Sequence, residues 1–270
     1  MDNFHEWLNL IVRWVHVFAG ILWIGATYHF AWLDRTLHRA QEASKDGAPA
    51  TVWMVHSGGF YVVEKQKIPK LMPGKLHWFK FEALTTWASG FILLAVVYYW
   101  GGGALVDDTI SAITVPQGIM LGLALLVVGW FIYDGLCLSP LGTSDTLAAA
   151  VFFAMLLTVA FALSRLYAGR AAYIHVGALL GTLMAANVWL RILPAQRQLV
   201  AALSAGKPVD VTLGERAKQR SKHNTFMIVP VVLIMISNHF PSTYGNDHSW
   251  AILGIMVLLG WAAAKILRDH

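Results

Sequence analysis

Apolar segments of about 20 residues recur along the chain, and each is long enough to cross a hydrocarbon core about 30 Å thick. They lie at about 8–32, 77–100, 115–137, 147–167, 172–193, 224–240 and 249–267. The sixth is short and has Pro230 in its middle, so neighbouring helices must satisfy the carbonyl that this proline leaves free. The pattern predicts an all-α fold, a polytopic transmembrane helical bundle of about seven spans.

Two hydrophilic segments, 34–76 and 194–222, carry most of the lysines and arginines. With seven spans both segments lie on the same side of the membrane, and the excess of positive charge places that side in the cytoplasm. The N-terminus is then outside and the C-terminus is cytoplasmic. Residues 1–270 are predicted to form a single transmembrane domain with these two cytoplasmic loops.

Composition agrees with a membrane protein, because only 13% of the residues are charged, against roughly 25% in a soluble domain. The net charge of +5 is explained by basic loops beside a lipid bilayer, so no nucleic-acid partner is predicted. The one cysteine, Cys137, excludes an internal disulfide, a C-x-x-C-H haem attachment and a cysteine-ligated metal cluster built from this chain alone. Any haem held here would be non-covalent.

Three histidines in the apolar segments are candidate metal ligands. His16 lies about two turns into the first span, His175 begins the fifth and His239 ends the sixth, so all three are expected near the outer face. Ionisable residues at membrane depth usually serve a site, and neutral imidazole is a strong axial ligand of haem iron. We predict a bis-histidine haem b on His16 with His175 or His239; for His16, a hydrogen-bonded interior histidine is the alternative. Small residues near these histidines would let a macrocycle, or simply another helix, approach closely: Gly20, Gly177 and Gly181.

A second polar layer is expected at the cytoplasmic face, where acid–base groups, hydrogen-bond donors and aromatic rings suit a small polar heterocycle. The candidate catalytic residues are His77, Lys80, Glu82 and His223. The candidate substrate-binding residues are His56, Tyr61, Lys65, Trp78, Trp87 and Asn224. The alternative is that the lysines reach toward lipid phosphates and the aromatic residues form an interfacial belt. Two further polar candidates are Asn187 and Asp134, the latter expected to mark the membrane boundary.

These motifs resemble the membrane-bound bacterial urate oxidase (urate hydroxylase) family. The resemblance runs from residue 13 to about 241 and rests on RWVHVFAGILWIGATYHFAWLD, VHSGGFYVVEK, KLHWFKFEALTTWASG, SPLG, GRAAYIHVGALLGTLMAANVW, ILPAQRQLVAAL and QRSKHNTFMIVPVVLIMISNHFP. It implies an enzyme of the bacterial inner membrane that oxidises urate to 5-hydroxyisourate, with water supplying the oxygen and cytochrome c accepting the electrons. The family usually adds an eighth helix and a C-terminal cytochrome c domain, whereas this sequence ends at His270. We therefore expect either a truncated form or a separate acceptor protein.

The resulting hypothesis is that urate enters from the cytoplasm and stacks near Tyr61, Trp78 or Trp87. One of the four candidate catalytic residues would take its proton and orient water, and electrons would pass through the haem to cytochrome c. One alternative is a b-type cytochrome or porphyrinogen-type oxidase with another reductant, because the first span also resembles the small membrane protoporphyrinogen oxidases. The other alternative is a purine transporter without redox chemistry.

Overall fold

The computed structural model describes residues 3–43, 49–66, 69, 75–100 and 103–269. Its helices are α1 (Asn3–Ala43), α2 (Phe81–Leu94), α3 (Val115–Leu138), α4 (Asp145–Ser164), α5 (Gly169–Ala186), α6 (Leu193–Ser204), α7 (Val211–Ser237), α8 (Pro241–Tyr244) and α9 (Ser249–Asp269). A π-helical turn, Ala95–Tyr99, continues α2, and a π-helix, Asn187–Ile192, joins α5 to α6. One antiparallel hairpin, β1 (Thr51–His56) and β2 (Gly59–Glu64), is the only sheet among the described residues. The predicted all-α bundle is confirmed.

Six helical segments of the described chain are long and apolar enough to cross a membrane: Asn3–Ala43, Phe81–Tyr99, Val115–Leu138, Asp145–Ser164, Gly169–Ser204 and Ser249–Asp269. They coincide with six of the seven predicted spans and are compatible with a multi-pass membrane protein. The remaining prediction, 224–240, falls on the second half of α7, which does not meet the same criterion. Nevertheless α7 runs antiparallel along α5, with Ile234 beside Gly177 and Asn224 bonded to Asn187, so α7 crosses the same depth of the bundle.

The two predicted hydrophilic loops, 34–76 and 194–222, contain regular structure. Residues 34–43 continue α1, the hairpin occupies 51–64, and α6 with the first half of α7 fills most of 194–222. Within 34–76, residues 44–48, 67–68 and 70–74 lie outside the described chain. The hairpin packs on α1, where Leu33 and Leu37 contact Val52, and Asp34 of α1 pairs with Lys65 and with Lys218 of α7. We call this side of the molecule the hairpin end of the bundle.

Helix α5 is the centre of the core, because most of its side chains are buried against α2, α3, α4 and α7. Tyr167, just before α5, donates a hydrogen bond to the carbonyl of Gly118 in α3 at 2.6 Å. Tyr173 in α5 donates to the carbonyl of Ser249 at the start of α9 at 2.7 Å. Both hydroxyls are thus satisfied by backbone carbonyls at helix ends, as buried tyrosines require.

The first residue of α5 provides a test of this packing. A Cβ on Gly169 would lie 2.3 Å from the carbonyl oxygen of Tyr244, whereas one on Gly181 would meet nothing within 4 Å. Gly169→Ala should therefore lower the free energy of unfolding in detergent by about 1–3 kcal/mol through overpacking. Gly181→Ala, the control in the same helix, should be neutral or stabilise by up to about 1 kcal/mol through its better helix propensity. Equal stability of the two variants would contradict the close contact.

Candidate functional site at the hairpin end

His175 is completely buried in α5 and its ring is fixed at both nitrogens. Its Nδ1 lies 2.7 Å from the carbonyl oxygen of Ala171, so Nδ1 must carry the proton and donate it. Nε2 then accepts from the hydroxyl of Tyr99 at 3.0 Å. Ligand histidines commonly donate Nδ1–H to a carbonyl in this way. However, a Cβ on Gly122 would lie only 2.8 Å from Nε2, so α3 covers this nitrogen closely.

His16 is half-buried between α1 and α2. Its Nδ1 donates to the carbonyl of Thr86 at 2.9 Å, and a Cβ on Gly90 would lie 2.8 Å from its Cε1. The level of this ring can be compared with that of His175 through Trp87, whose Nε1 donates to Thr182 Oγ1 at 3.1 Å. His175 precedes Thr182 by seven residues, or about 10 Å along the bundle, but the ring of His16 lies against Gly90, about one turn nearer to His175 than Trp87 is.

The predicted metal ligands are therefore not level with one another. His239 is exposed and, five residues beyond Ile234, lies still farther from the hairpin end than His175. No described contact joins His16 to either partner, so the pairing of these histidines on one iron stays a prediction. Within the described part of the chain, no group of three His, Cys, Asp or Glu side chains could hold a metal ion. The haem itself, which needs only two protein ligands, stays a prediction.

Two of the three glycines near these histidines, Gly20 and Gly177, lie where helices pack, whereas a Cβ on Gly181 would meet nothing within 4 Å. A Cβ on Gly177 would approach Met235 and Ile234 of α7 to 3.0 and 3.1 Å, and one on Gly20 would lie 3.9 Å from Thr86. These contacts join α5 to α7 and α1 to α2. They match the alternative in which small residues admit a neighbouring helix.

Three predicted site residues meet at the start of α2, against the π-helix. Lys80 Nζ lies 5.9 Å from the ring centroid of Trp189, and Trp78 packs in the same cluster as Trp189 and Ala83. Glu82 Oε2 and Trp189 Nε1 are buried, and neither has a hydrogen-bond partner among the described residues. Buried polar atoms are normally paired, so each of these two atoms indicates a place for a ligand or water. We call Trp78, Lys80, Glu82 and Trp189 the Glu82 group.

The other candidates of the second layer lie elsewhere. His56 and Tyr61 on the hairpin and His77 before α2 are exposed, and Trp87 is 37% exposed while its Nε1 donates to Thr182 of α5. Lys65 pairs with Asp34. The hairpin packs on α1 through Val52. No residue of the hairpin belongs to the described cluster that contains Trp189. The structure thus gathers Trp78, Lys80 and Glu82 and separates them from the hairpin.

His223 and Asn224 belong to a second polar group on the opposite side of the π-helix. Its centre is Asp134, whose carboxylate accepts from Arg191 and, at 2.7 Å, from Arg220. The side chains of Asp134 and Arg220 are 9% and 5% exposed, whereas that of Arg191 is 42% exposed and opens the group toward the surface. We call this set the Asp134 cluster: Tyr133, Asp134, Asn187, Arg191, Arg220, His223 and Asn224.

Arg220 sets the direction of the hydrogen bonds through the Asp134 cluster. A guanidinium can only donate, so it fixes Oδ1 of Asn187 toward itself at 3.3 Å. Nδ2 of Asn187 then donates to the Tyr133 hydroxyl and to Asn224 Oδ1, both at 2.9 Å. The Tyr133 hydroxyl is also hydrogen-bonded to His223 Nδ1 at 2.9 Å, and the tautomer of His223 decides which of the two donates.

Asp134 was expected to mark the membrane boundary, and the structure instead buries it between two arginines. The sequence interpretation did not select Tyr133, Trp189, Arg191 or Arg220. A signal was present, because Asn187 and Arg191, and likewise Arg220 and Asn224, are four residues apart. In a helix that spacing puts each polar pair on one face.

Comparison with curated proteins and with solved structures finds no match in either. A family model described as Urate oxidase N-terminal matches residues 2–269, which includes both polar groups and every described helix. The chain belongs to the urate oxidase N-terminal family.

Proposed function

We propose that this protein oxidises urate at the Glu82 group. Family membership supports a urate-related oxidase. In the proposed reaction, urate and water give 5-hydroxyisourate, two protons and two electrons. Water supplies the new hydroxyl oxygen, and the electrons leave to a one-electron acceptor. The protein must therefore bind a planar anion, accept protons and exclude all water except the molecule that reacts.

The observation that carries this proposal is the pair of unpartnered buried atoms, Glu82 Oε2 and Trp189 Nε1. Urate presents ring N–H donors and carbonyl acceptors at its edge, so it can satisfy both. Lys80 offers a cation to the urate anion, because its Nζ faces the rings of Phe81 and Trp189 and forms no ion pair with a described carboxylate. Trp78 and Trp189 offer flat faces on which the purine can stack.

Glu82 is the proposed proton acceptor. A carboxylate oxygen without a hydrogen bond keeps its lone pairs available, which is what a general base needs. His223 suits this role less well, because its Nδ1 is already hydrogen-bonded to the Tyr133 hydroxyl. His77 is exposed and packs edge-on against Phe79, with 4.5 Å between the ring centroids. Glu82 therefore takes the proton and orients the attacking water.

The Asp134 cluster is proposed to hold the π-helix in position for the Glu82 group. Asn187 and Arg191 anchor the π-helix to Asp134 and Arg220, while Val188 and Trp189 pack toward α2. An extra residue in a π-helix changes where the following side chains point, and such segments are frequent at functional sites. Charged anchoring on one side would thus fix the Trp189 indole on the other.

The acceptor of the electrons is proposed to be a haem b followed by cytochrome c, in a bacterial inner membrane with the hairpin end in the cytoplasm. His16 with His175 or His239 would hold this haem, which would accept the electrons. Urate binding and proton transfer at the Glu82 group do not involve the haem.

Equilibrium binding of labelled urate to the purified protein in detergent tests the site. Trp189→Phe removes the indole N–H and retains an aromatic ring, and loss of one hydrogen bond to a charged ligand should weaken binding about 10- to 100-fold. Trp53→Phe on the hairpin, where the side chain is 69% exposed, should bind urate as the unmodified protein does. Absence of urate binding to the unmodified protein, or equal affinity of the two variants, would contradict the proposal.

A further inference from the structure

Helix α1 is the least covered of the membrane-crossing segments. In its most apolar stretch 6% of the residues are buried, against 22–56% in the other five candidate spans. Between Asn3 and Leu33 only Ala19 is buried, and the helix packs mainly on α2. Its outward side consists of large apolar side chains, as expected beside lipid, apart from Glu6 and His29 toward the two ends of the span and one exception near its middle.

The exception is Arg13, which is exposed on this side. Its guanidinium bonds only to Asn9 one turn earlier, at 2.9 Å from Nη2 and 3.3 Å from Nε to Oδ1. No ion pair joins Arg13 to a carboxylate of the described chain. Exposed apolar side chains surround the pair, including Leu10, Trp14 and Val17 at 56%, 69% and 53% exposure. We call these five residues the Arg13 face.

Hydrogen bonds to α2 fix the depth of Arg13. His5 bonds to the carbonyl of Val96 at 2.9 Å, and His16 bonds to that of Thr86 at 2.9 Å, so α1 and α2 are antiparallel. Arg13 lies between these two histidines and is therefore level with about residue 89, the middle of the Phe81–Tyr99 span. A guanidinium on the outer surface at mid-span is costly in hydrocarbon, and such residues normally face a partner that neutralises them.

We infer that the Arg13 face docks a membrane-spanning helix of another protein, one that carries a carboxylate at mid-depth. Charge complementarity identifies the occupant, because Arg13 and the amide of Asn9 supply donors and lack an acidic acceptor. Leu10, Trp14 and Val17 supply the apolar contact around it. A second copy of this chain does not suit the face: a two-fold axis would set Arg13 against Arg13. The acidic side chains in the described spans also lie near their ends, as Glu82 and Asp145 do, or are buried, as Asp134 is.

The test uses a synthetic leucine–alanine peptide of about 20 residues with one central Glu, and its twin with Gln. The purified full chain in micelles should bind the Glu peptide at least about 10-fold more tightly than the Gln peptide, a difference that one ion pair in a low-dielectric medium readily supplies. Arg13→Gln should abolish the preference and Arg13→Lys should retain most of it. Arg165→Gln, an exposed arginine at the end of α4, should leave it unchanged.

Two results would overturn the inference. Equal binding of the Glu and Gln peptides by the unmodified protein would mean that Arg13 extends to lipid headgroups and needs no partner. A preference for Glu that survives Arg13→Gln would place the recognised cation elsewhere. Unchanged thermal unfolding of the Arg13→Gln variant confirms that the comparison is made on folded protein.

Discussion

Asp134→Asn is expected to lower the free energy of unfolding by about 3–5 kcal/mol, the usual cost of removing one partner of a buried ion pair. The amide retains the shape of the side chain but loses its charge, so Arg220, whose side chain is 5% exposed, remains buried without a counter-ion. The amide NH₂ introduced at position 134 also faces the N–H groups of both arginines, which cannot accept a hydrogen bond. Denaturant titration of the purified protein in detergent, followed by circular dichroism, measures the change.

Asp145→Asn is the matched control for this change. Asp145, at the start of α4, pairs with Lys222 of α7. The Asp145 side chain is 58% exposed, and exposed ion pairs contribute only about 0–1 kcal/mol. If both variants lose the same small amount of stability, the Asp134 cluster is solvated in the folded protein and does not anchor the π-helix.

The bundle was predictable because hydropathy reports directly on membrane depth. The lengths of the helices were less predictable from the sequence. The pattern ended the first span at residue 32, while α1 continues to Ala43, and it divided α7 at residue 224 where the chain changes from polar to apolar. Both helices continue into polar segments at the hairpin end, which a search for apolar runs does not detect. His16 was expected near one face because the span was predicted to begin at 8, whereas α1 begins at Asn3.

The two polar groups differ in how much the sequence revealed. Trp78, Lys80 and Glu82 are close together in one run, LHWFKFE, so their grouping could be inferred locally. The partners of Asp134 are 57 and 86 residues away along the chain, and only the packing of α3, the π-helix and α7 brings them together. A lone acidic residue near the end of an apolar segment has the same pattern whether it faces headgroups or a buried arginine. Trp189 was missed because a tryptophan near a span end is typical of an interfacial belt.

Glu82→Gln is expected to reduce the rate of urate turnover by about 10²- to 10⁴-fold, the usual contribution of a general base. The substitution retains the size and hydrogen-bonding reach of the side chain, so urate affinity should change far less than kcat. Stability should not fall, since a buried carboxylate oxygen without a partner is replaced by a neutral group. Steady-state oxidation of urate with an added one-electron acceptor gives kcat and KM, and thermal unfolding gives the stability.

This combination separates catalysis from structure. A purely structural Glu82 would lose stability on substitution and would alter kcat and KM together, whereas a base loses kcat in a protein that remains folded. Glu215→Gln, an exposed carboxylate on the first half of α7, should leave all three quantities unchanged. Full turnover by the Glu82→Gln variant would exclude Glu82 as the base and leave Lys80 and His77 as the remaining candidates beside α2. If the Glu82→Gln variant retained full turnover and Trp189→Phe still weakened urate binding, the site would stand and only the identity of the base would be wrong.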